Sequence, residues 1–488
     1  MSQAGRLAES FAADFVDALR RIAGARHVFT EPADMAGYLT DWTSQYSADA
    51  VAVVRPADAE QVSQIVKLCA SAGISIVPQG GNTSLAGGGV PSKGVASIVL
   101  SLSRMQAIRH FDEAGRTVVA EAGVVLETLQ SYVDERGLQF PLTFGAKGSC
   151  TLGGNLATNA GGSNVVRYGN TRELCLGLEA VLPDGSIFNG LTGLRKDNTG
   201  YDLKDLLIGS EGTLGIITAA VFKLYPKPLT RVTALLSMAS VDAAIRALNL
   251  VQDRTGHSIE AFEYIPQPVL SAVEKAFPVL KSPLQGPVET GVLMEVGSSR
   301  LSDAKTDDDG FNQLVAELLS IFEELMESGD IRDAVIAQSE QQRADLWRMR
   351  ELVLESIMAY GAAYHFDISL PLANVSWFLR EMDLTAAELG FETLTIGHLG
   401  DGNLHYALVS ADREAWHGLP LGEAKARAFE LLKQLNGSFS AEHGIGQSKL
   451  DVMRALKQPA QLNAMRAIKR ALDPDDMMNP GRLVPAAE

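Results

Sequence analysis

From Val51 to Tyr225 the chain alternates short runs of β-branched residues with glycine-rich loops and short helical stretches. Val51 to Val54 reads as a strand. Pro56-Ala57-Asp58 then opens a helix that carries Val62, Ile65, Val66 and Cys69 on one face and closes at Gly73. Ile74 to Val77, Ser97 to Leu102 and Thr117 to Glu121 are predicted strands, and Asp184-Gly185 makes a hairpin turn after Leu178 to Leu182. Pro226 and Pro228 end this pattern. Beyond them glycines thin out, and the amphipathic stretch Asp345 to Tyr360 sits between strands near Thr290 to Val296 and Ala363 to Ile368. From Ala424 to Met478-Asn479-Pro480-Gly481 the pattern is mainly helical. The alternation predicts an α+β protein in four stretches: 1–46 helical, 47–226 glycine-rich, 227–423 α+β and 424–488 helical.

A chain of 488 residues exceeds what one core usually serves, which predicts roughly two or three domains. Hydrophobic residues make up 46% and charged residues 21%, enough apolar material for packed cores and too much for disorder. A formal charge of −17 with no basic run argues against a nucleic-acid partner. Cys69, Cys150 and Cys175 lack C-x-x-C spacing, so neither a disulfide framework nor a thiolate zinc site is expected, and a reducing cytoplasm fits. The first residues lack the apolar run of a signal peptide, and no stretch approaches about 18 uninterrupted apolar residues. A transmembrane helix is not expected; peripheral membrane contact stays open.

Glycines 80, 81, 87, 88 and 89 crowd one loop, a second glycine-rich run extends from Gly145 to Gly162, and a third from Gly209 to Gly215. Ordering such loops costs conformational entropy, and their backbone amides form concave anion sites that suit a pyrophosphate. Three in one domain point to one long cofactor; the alternative is tight-turn punctuation. Neither G-x-G-x-x-G after a strand nor G-x-x-x-x-G-K-[ST] occurs, which counts against a Rossmann NAD site and a nucleotide triphosphatase.

The segment GHLGDGNLHY, Gly397 to Tyr406, places His398 and His405 seven apart around a Gly-Asp-Gly turn, and Glu442-His443 follows downstream. Two imidazoles and one carboxylate can converge on a borderline divalent ion with a position left open for substrate. Alternatively, both histidines are half-buried and bonded to backbone, with the glycines serving only the turn.

The motifs PQGGNTSLAGG, GAKGSCTLGGNLATNAGG, RYGNTREL, LRKDNTGYDLK and GSEGTLGIIT resemble the FAD-binding domain of the flavoprotein family that includes vanillyl-alcohol oxidase and para-cresol methylhydroxylase. GHLGDGNLH, AEHGIG and MNPGRL resemble the C-terminal half of the FAD-linked D-2-hydroxy acid dehydrogenases, among which the D-2-hydroxyglutarate branch is nearest at Leu194 to Lys204 and the D-lactate branch is its neighbour. The resemblance runs from Val51 to Val484 with the motifs in family order. It implies a two-part FAD-binding domain over 47–226, a substrate or cap domain with an antiparallel sheet over 227–423, and a C-terminal helical segment packing near the flavin.

The same resemblance implies that Gln79, Gly80, Gly81, Asn82, Thr83 and Ser84 meet the FAD pyrophosphate. It puts the isoalloxazine near Gly148, Ser149, Thr151, Gly154, Asn155 and Asn159, and Asn479 beside the flavin ring. Gly162, Glu211 and Gly212 complete the cofactor set, with Ile217 by the adenine part. FAD is expected without a covalent link, because relatives tethered at the first loop carry a histidine where this chain has Asn82. His398, His405 and Glu442 are implied ligands of zinc or manganese, and His443 the catalytic base.

Oxidising a 2-hydroxy acid removes a hydride, which flavin N5 can take, and a hydroxyl proton, which a base must take; an imidazole titrates in the right range. A metal-bound hydroxyl and carboxylate would be fixed for that transfer. For the carboxylate the resemblance selects Arg350, leaving Arg348 on a solvated face. Asn403 either orients substrate or serves its turn. Where the hydroxyglutarate branch carries Thr, Lys and Asn for the distal carboxylate, this chain has Leu354, His365 and Ala407. That departure favours a D-2-hydroxy acid with a small or apolar side chain, such as D-lactate, with D-2-hydroxyglutarate as the alternative. A metal hydrolase and a non-catalytic FAD-binding protein are more distant alternatives. Without a nicotinamide fingerprint, electrons are expected to leave to a quinone, a cytochrome or an electron-transfer flavoprotein. Assembly as a homodimer stays open.

Overall fold

The computed structural model describes residues 3–306 and 312–486. The chain forms two compact units, one comprising Met1–Ala160, Asn170–Tyr225 and Glu442–Glu488, the other Gly161–Gly169 and Pro226–Ala441.

In the first unit, the helix Ala59–Ala72 starts where the Asp58 carboxylate accepts the Gln61 N–H and stops at Gly73 in the left-handed conformation. Its crossover returns the chain parallel, so Ser97–Ser101 pairs in parallel with both Ala52–Val54 and Ser75–Gln79. Ile76, Ile98 and Leu100 pack with Val62, Ile65 and Val66 of that helix. Phe15 and Leu19 of the N-terminal helix lie in the same core, so the helical segment expected over 1–46 packs as part of this unit. A second sheet runs in the order Ile108–Asp112, Thr117–Glu121, Ile216–Lys223, Cys175–Val181 and Ile187–Asn189, its last pair joined by the Asp184-Gly185 turn.

The second unit is built on an antiparallel sheet. Across it the order is Ile331–Ile336, Thr230–Met238, Thr290–Ser298, Ile259–Tyr264, Ile396–His398, Asn403–Ser410 and Ala362–Ser369, with Glu392–Thr393 also paired to Asn403–Ser410. Alternation along each strand divides two faces. Val232, Ala234, Met294, Phe262, Phe366 and Tyr406 pack against the helices Val241–Thr255, Gln313–Glu327, Leu372–Glu388 and Leu421–Gln434. Leu235, Leu293, Ile396, Ala407 and Val409 face the helices Gln267–Ala276, Glu340–Glu351 and Val353–Tyr360.

The amphipathic stretch Asp345 to Tyr360 is covered by two helices, because the chain leaves helical geometry at Leu352 (φ −85°, ψ 8°), and Leu346, Met349, Val353 and Ile357 all stay in one apolar cluster. The boundary expected at 423/424 cuts the helix Leu421–Gln434, whose Ala424, Ala428 and Leu432 are buried in the second unit; the chain leaves that unit only after Ala441. No helix among the described residues is long and apolar enough to cross a membrane.

Candidate active site

The three glycine loops of the first unit meet one another. A Cβ on Gly80 would run into the Thr151 hydroxyl, and one on Gly81 would collide with the Ser149 carbonyl oxygen, so the first two loops touch backbone to backbone. Gln79 ends its strand buried, with its amide donating to the Tyr38 and Gly89 carbonyls at 2.9 and 2.7 Å, which closes the first loop on itself. Asn82 takes the left-handed conformation (φ 53°) and donates to the Thr40 carbonyl at 2.8 Å. Thr83 is half-buried, and the Ser84 hydroxyl accepts the Ala86 N–H.

Gly148 and Ser149 are exposed, whereas Thr151 and Asn155 are buried around the start of the helix Leu152–Thr158, which contains Gly154 and is closed by Asn159 in the left-handed conformation. The third loop is tied in by Asn479, whose amide donates to the carbonyls of Gly88 and Glu211 at 3.0 and 2.7 Å. The Glu211 carboxylate accepts the Ile445 and Gly446 N–H groups, both at 2.7 Å; burial nevertheless pushes its pKa up against those bonds. Gly212 adopts φ 72°, and Ile217 is buried in its strand.

Thr151 Oγ1, Asn155 Nδ2 and Asn479 Oδ1 are buried without a hydrogen-bond partner. Each such group costs on the order of 1–3 kcal/mol unless something satisfies it. Orphaned polar atoms beside Gly80 and Gly81, where a side chain has no room, fit a long polar cofactor such as FAD. Gly162 is placed differently from the other predicted cofactor residues: it belongs to Gly161–Gly169, which clusters with the second unit. That short stretch is held there by Tyr168, whose hydroxyl donates to Glu260 at 2.7 Å, and by Arg167, which donates to the Gly297 carbonyl at 2.7 Å.

In the second unit, register places a polar row on the sheet face that also carries the Leu293 and Ala407 cluster. Glu263 stands opposite His398, and Asp367 opposite His405. Glu263 is fully buried and is held by two side chains: His398 Nδ1 lies 2.7 Å from Oε1, and Arg350 Nε donates to Oε2 at 2.7 Å. Burial alone would push this carboxyl up, but its interactions with His398 and Arg350 outweigh it and hold it down at about 2. The rings of His398 and His405 stand 5.4 Å apart at 85°, with ligand nitrogens within 4.8 Å of each other, and His405 and Asp367 are equally close. His398 is thus bonded through Nδ1 to a carboxylate. With Nδ1 engaged by Glu263, its Nε2 is the nitrogen suited to a metal, and the imidazole pair fits a borderline divalent ion.

Arg350 is turned to the sheet, where it meets Glu263, while Arg348 is exposed. Asn403 is buried, and its amide donates to the Ile368 carbonyl at 2.8 Å and to Asp367 at 3.3 Å, both on the neighbouring strand Ala362–Ser369. Asp367 also accepts the Ala441 N–H at 3.2 Å, and Glu442 and His443 follow directly in the chain as the first residues of the next first-unit segment. Within that segment His443 Nε2 lies 3.6 Å from a Glu442 oxygen. Leu354 and His365 are exposed. Ala407, expected on a pocket wall, has no exposed surface: it sits inside the apolar cluster opposite His365.

Sequence reasoning missed Glu263 and Asp367. The available signal was a carboxylate flanked by apolar residues within a strand, between Phe262 and Tyr264 for the one and between Phe366 and Ile368 for the other.

Residues 227–483 match the family described as FAD linked oxidases, C-terminal domain, and residues 50–190 match an FAD binding domain. A mitochondrial D-2-hydroxyglutarate dehydrogenase of Bos taurus is 37% identical over 97% of this chain and 84% of its own. A D-2-hydroxyglutarate dehydrogenase of Stutzerimonas stutzeri is 34% identical over 96% of this chain and 99% of its own. Among solved structures, p-cresol methylhydroxylase with substrate bound superposes with a TM-score of 0.74 at 15% identity, over 98% of this chain and 97% of that one, a likeness of fold. With glycine loops that fit FAD in one unit and a carboxylate-held arginine and histidine in the other, the chain belongs to the FAD-linked oxidase family and is an FAD-linked oxidoreductase.

Proposed function

We propose that this protein oxidises a D-2-hydroxy acid to the 2-oxo acid and passes the electrons to an acceptor other than a nicotinamide: a quinone, a cytochrome or an electron-transfer flavoprotein. The observation that carries this reading is the pairing of Arg350 and His398 on one buried carboxylate. A 2-hydroxy acid bears a carboxylate and a hydroxyl on adjacent carbons, so its recognition calls for a planar cationic donor a few ångströms from a ligand nitrogen.

Arg350 has its terminal N–H groups left for a bidentate contact with the substrate carboxylate. His398 and His405, with Glu442, would hold one divalent ion, zinc or manganese. When bound, the ion supplies a Lewis acid for the substrate oxygens and FAD supplies the hydride acceptor. His443 would accept the hydroxyl proton, and the Glu442 carboxylate beside it favours the imidazolium that results.

The relatives named above support D-2-hydroxyglutarate as the substrate. A second reading, a small or apolar acid such as D-lactate, is favoured by the side chains: Leu354 is apolar, and Ala407 offers neither a donor nor exposed surface, which leaves only the exposed His365 to meet a distal carboxylate. Anaerobic bleaching of the flavin by a panel of D- and L-2-hydroxy acids, with and without a strong chelator, tests the proposal. Reduction by D-acids, lost on chelation, is expected. A flavin that no 2-hydroxy acid reduces would favour a non-catalytic carrier, and chelator-insensitive reduction would remove the metal from the scheme.

A further inference from the structure

Glu263 has no exposed surface, and each of its oxygens is engaged by a different side chain from a different element. Its strand, Ile259–Tyr264, is buried at every position. A carboxylate in such a place costs several kcal/mol unless it is paired, and an apolar residue of similar volume would serve the core as well. The pairing itself constrains two side chains. With Nδ1 against a carboxylate, the His398 proton is held on that nitrogen, and Nε2 is then the nitrogen that carries the ring's lone pair. With Nε donating to Oε2, Arg350 loses rotational freedom and keeps its two terminal nitrogens for a second planar partner.

We propose that Glu263 is a positioning residue that sets, through one carboxylate, both the tautomer of His398 and the orientation of Arg350. The inference rests on the reading above, in which His398 holds a divalent ion and Arg350 binds the substrate carboxylate. The single carboxylate fixes the spacing between carboxylate anchor and ion, the quantity that discriminates a 2-hydroxy acid from a 3-hydroxy acid. A glutamine cannot replace it. Its one acceptor oxygen serves one partner, and its NH2 then faces a second N–H donor.

The test uses the full chain with FAD bound. Zn²⁺ affinity is measured by competition with a chromophoric chelator, and KM and kcat with the best 2-hydroxy acid, for the wild type, Glu263→Gln and Glu263→Asp. FAD content and thermal midpoint report folding. Glu263→Gln is expected to bind Zn²⁺ about 10–100-fold more weakly and to raise KM at least about tenfold at normal FAD content. Glu263→Asp, which keeps the charge on a shorter arm, should recover part of the Zn²⁺ affinity. A merely structural role would lower the thermal midpoint and leave Zn²⁺ affinity unchanged in whichever variant folds; that result overturns the proposal while the metal reading stands. Should Glu263→Gln not fold, Glu263→Asp carries the same comparison, and wild-type affinity and KM in it would again overturn the idea. A wild type that binds neither Zn²⁺ nor Mn²⁺ above background overturns the metal reading and this inference together.

Discussion

Arg343 grips Glu295 through two hydrogen bonds, Nε to Oε2 at 2.7 Å and Nη2 to Oε1 at 2.9 Å. Thr233 and Trp347 donate to Oε2 as well, at 2.7 and 2.9 Å. Burial opposes ionisation of Glu295, but these donors and the guanidinium charge outweigh it and hold the carboxyl below its ordinary value of 4.5. The resulting stabilisation is fully present above that ordinary value and is lost as pH falls through the depressed folded value. Glu295→Gln should therefore cost on the order of 3 kcal/mol near pH 7. The gap to wild type in thermal midpoint should narrow as pH falls below 4.5, where the unfolded chain's carboxyl takes up a proton that the folded one resists. A gap that stays constant across this range would show that the charge contributes nothing.

Backbone contact between two loops sets the second prediction. Gly81→Ala would drive a Cβ into the Ser149 carbonyl, so a destabilisation of about 2 kcal/mol or more and a lower ratio of flavin to protein absorbance are expected. Gly145→Ala is the control, since nothing lies within 4 Å of its Cβ position. Equal behaviour of the two variants would count against a shared cradle.

FAD should come away intact. Asn82 occupies the position after the paired glycines and spends its amide on the Thr40 carbonyl. Acid precipitation is expected to release all the yellow chromophore into the supernatant; colour left in a washed pellet would contradict this.

Truncating His398 or His405 to Ala should abolish flavin reduction by substrate and leave FAD content near normal, because both belong to the second unit and the glycine loops to the first. Elemental analysis of the same preparations should show the bound ion lost. An active enzyme without metal would sink the ligand assignment.

His365 offers the one exposed polar side chain among the three positions that differ from the hydroxyglutarate branch. If its protonation serves a distal carboxylate, kcat/KM for D-2-hydroxyglutarate should fall by roughly tenfold relative to D-lactate between about pH 6 and 8.5, a range that brackets an ordinary histidine. His365→Ala should remove that dependence. A large preference for D-2-hydroxyglutarate at every pH would instead require another cation at the distal end.

Local signals are legible in the amino-acid sequence alone. The helix Ala59–Ala72 declares itself through its cap residues and its apolar spacing, and the strand Thr117–Glu121 through its β-branched run, because each is encoded within a few contiguous residues. The glycine loops and the seven-residue spacing of His398 and His405 are visible for the same reason: a tight turn brings the ends of two short strands together without help from elsewhere.

Glu263 meets His398 across 135 residues and Arg350 across 87. No periodicity carries that information, since it depends on which strands become neighbours in the sheet and in what register. The same holds for Ala407, whose burial comes from the cluster of Leu346, Met349 and Val353 on its face, and for Gly161–Gly169, which Glu260 and the Gly297 carbonyl anchor in the second unit. The residue types needed for this chemistry are therefore apparent along the chain. Which carboxylate holds which cation follows only from the packing of distant segments, because pairing a buried charge is a property of the assembled core and not of any stretch within it.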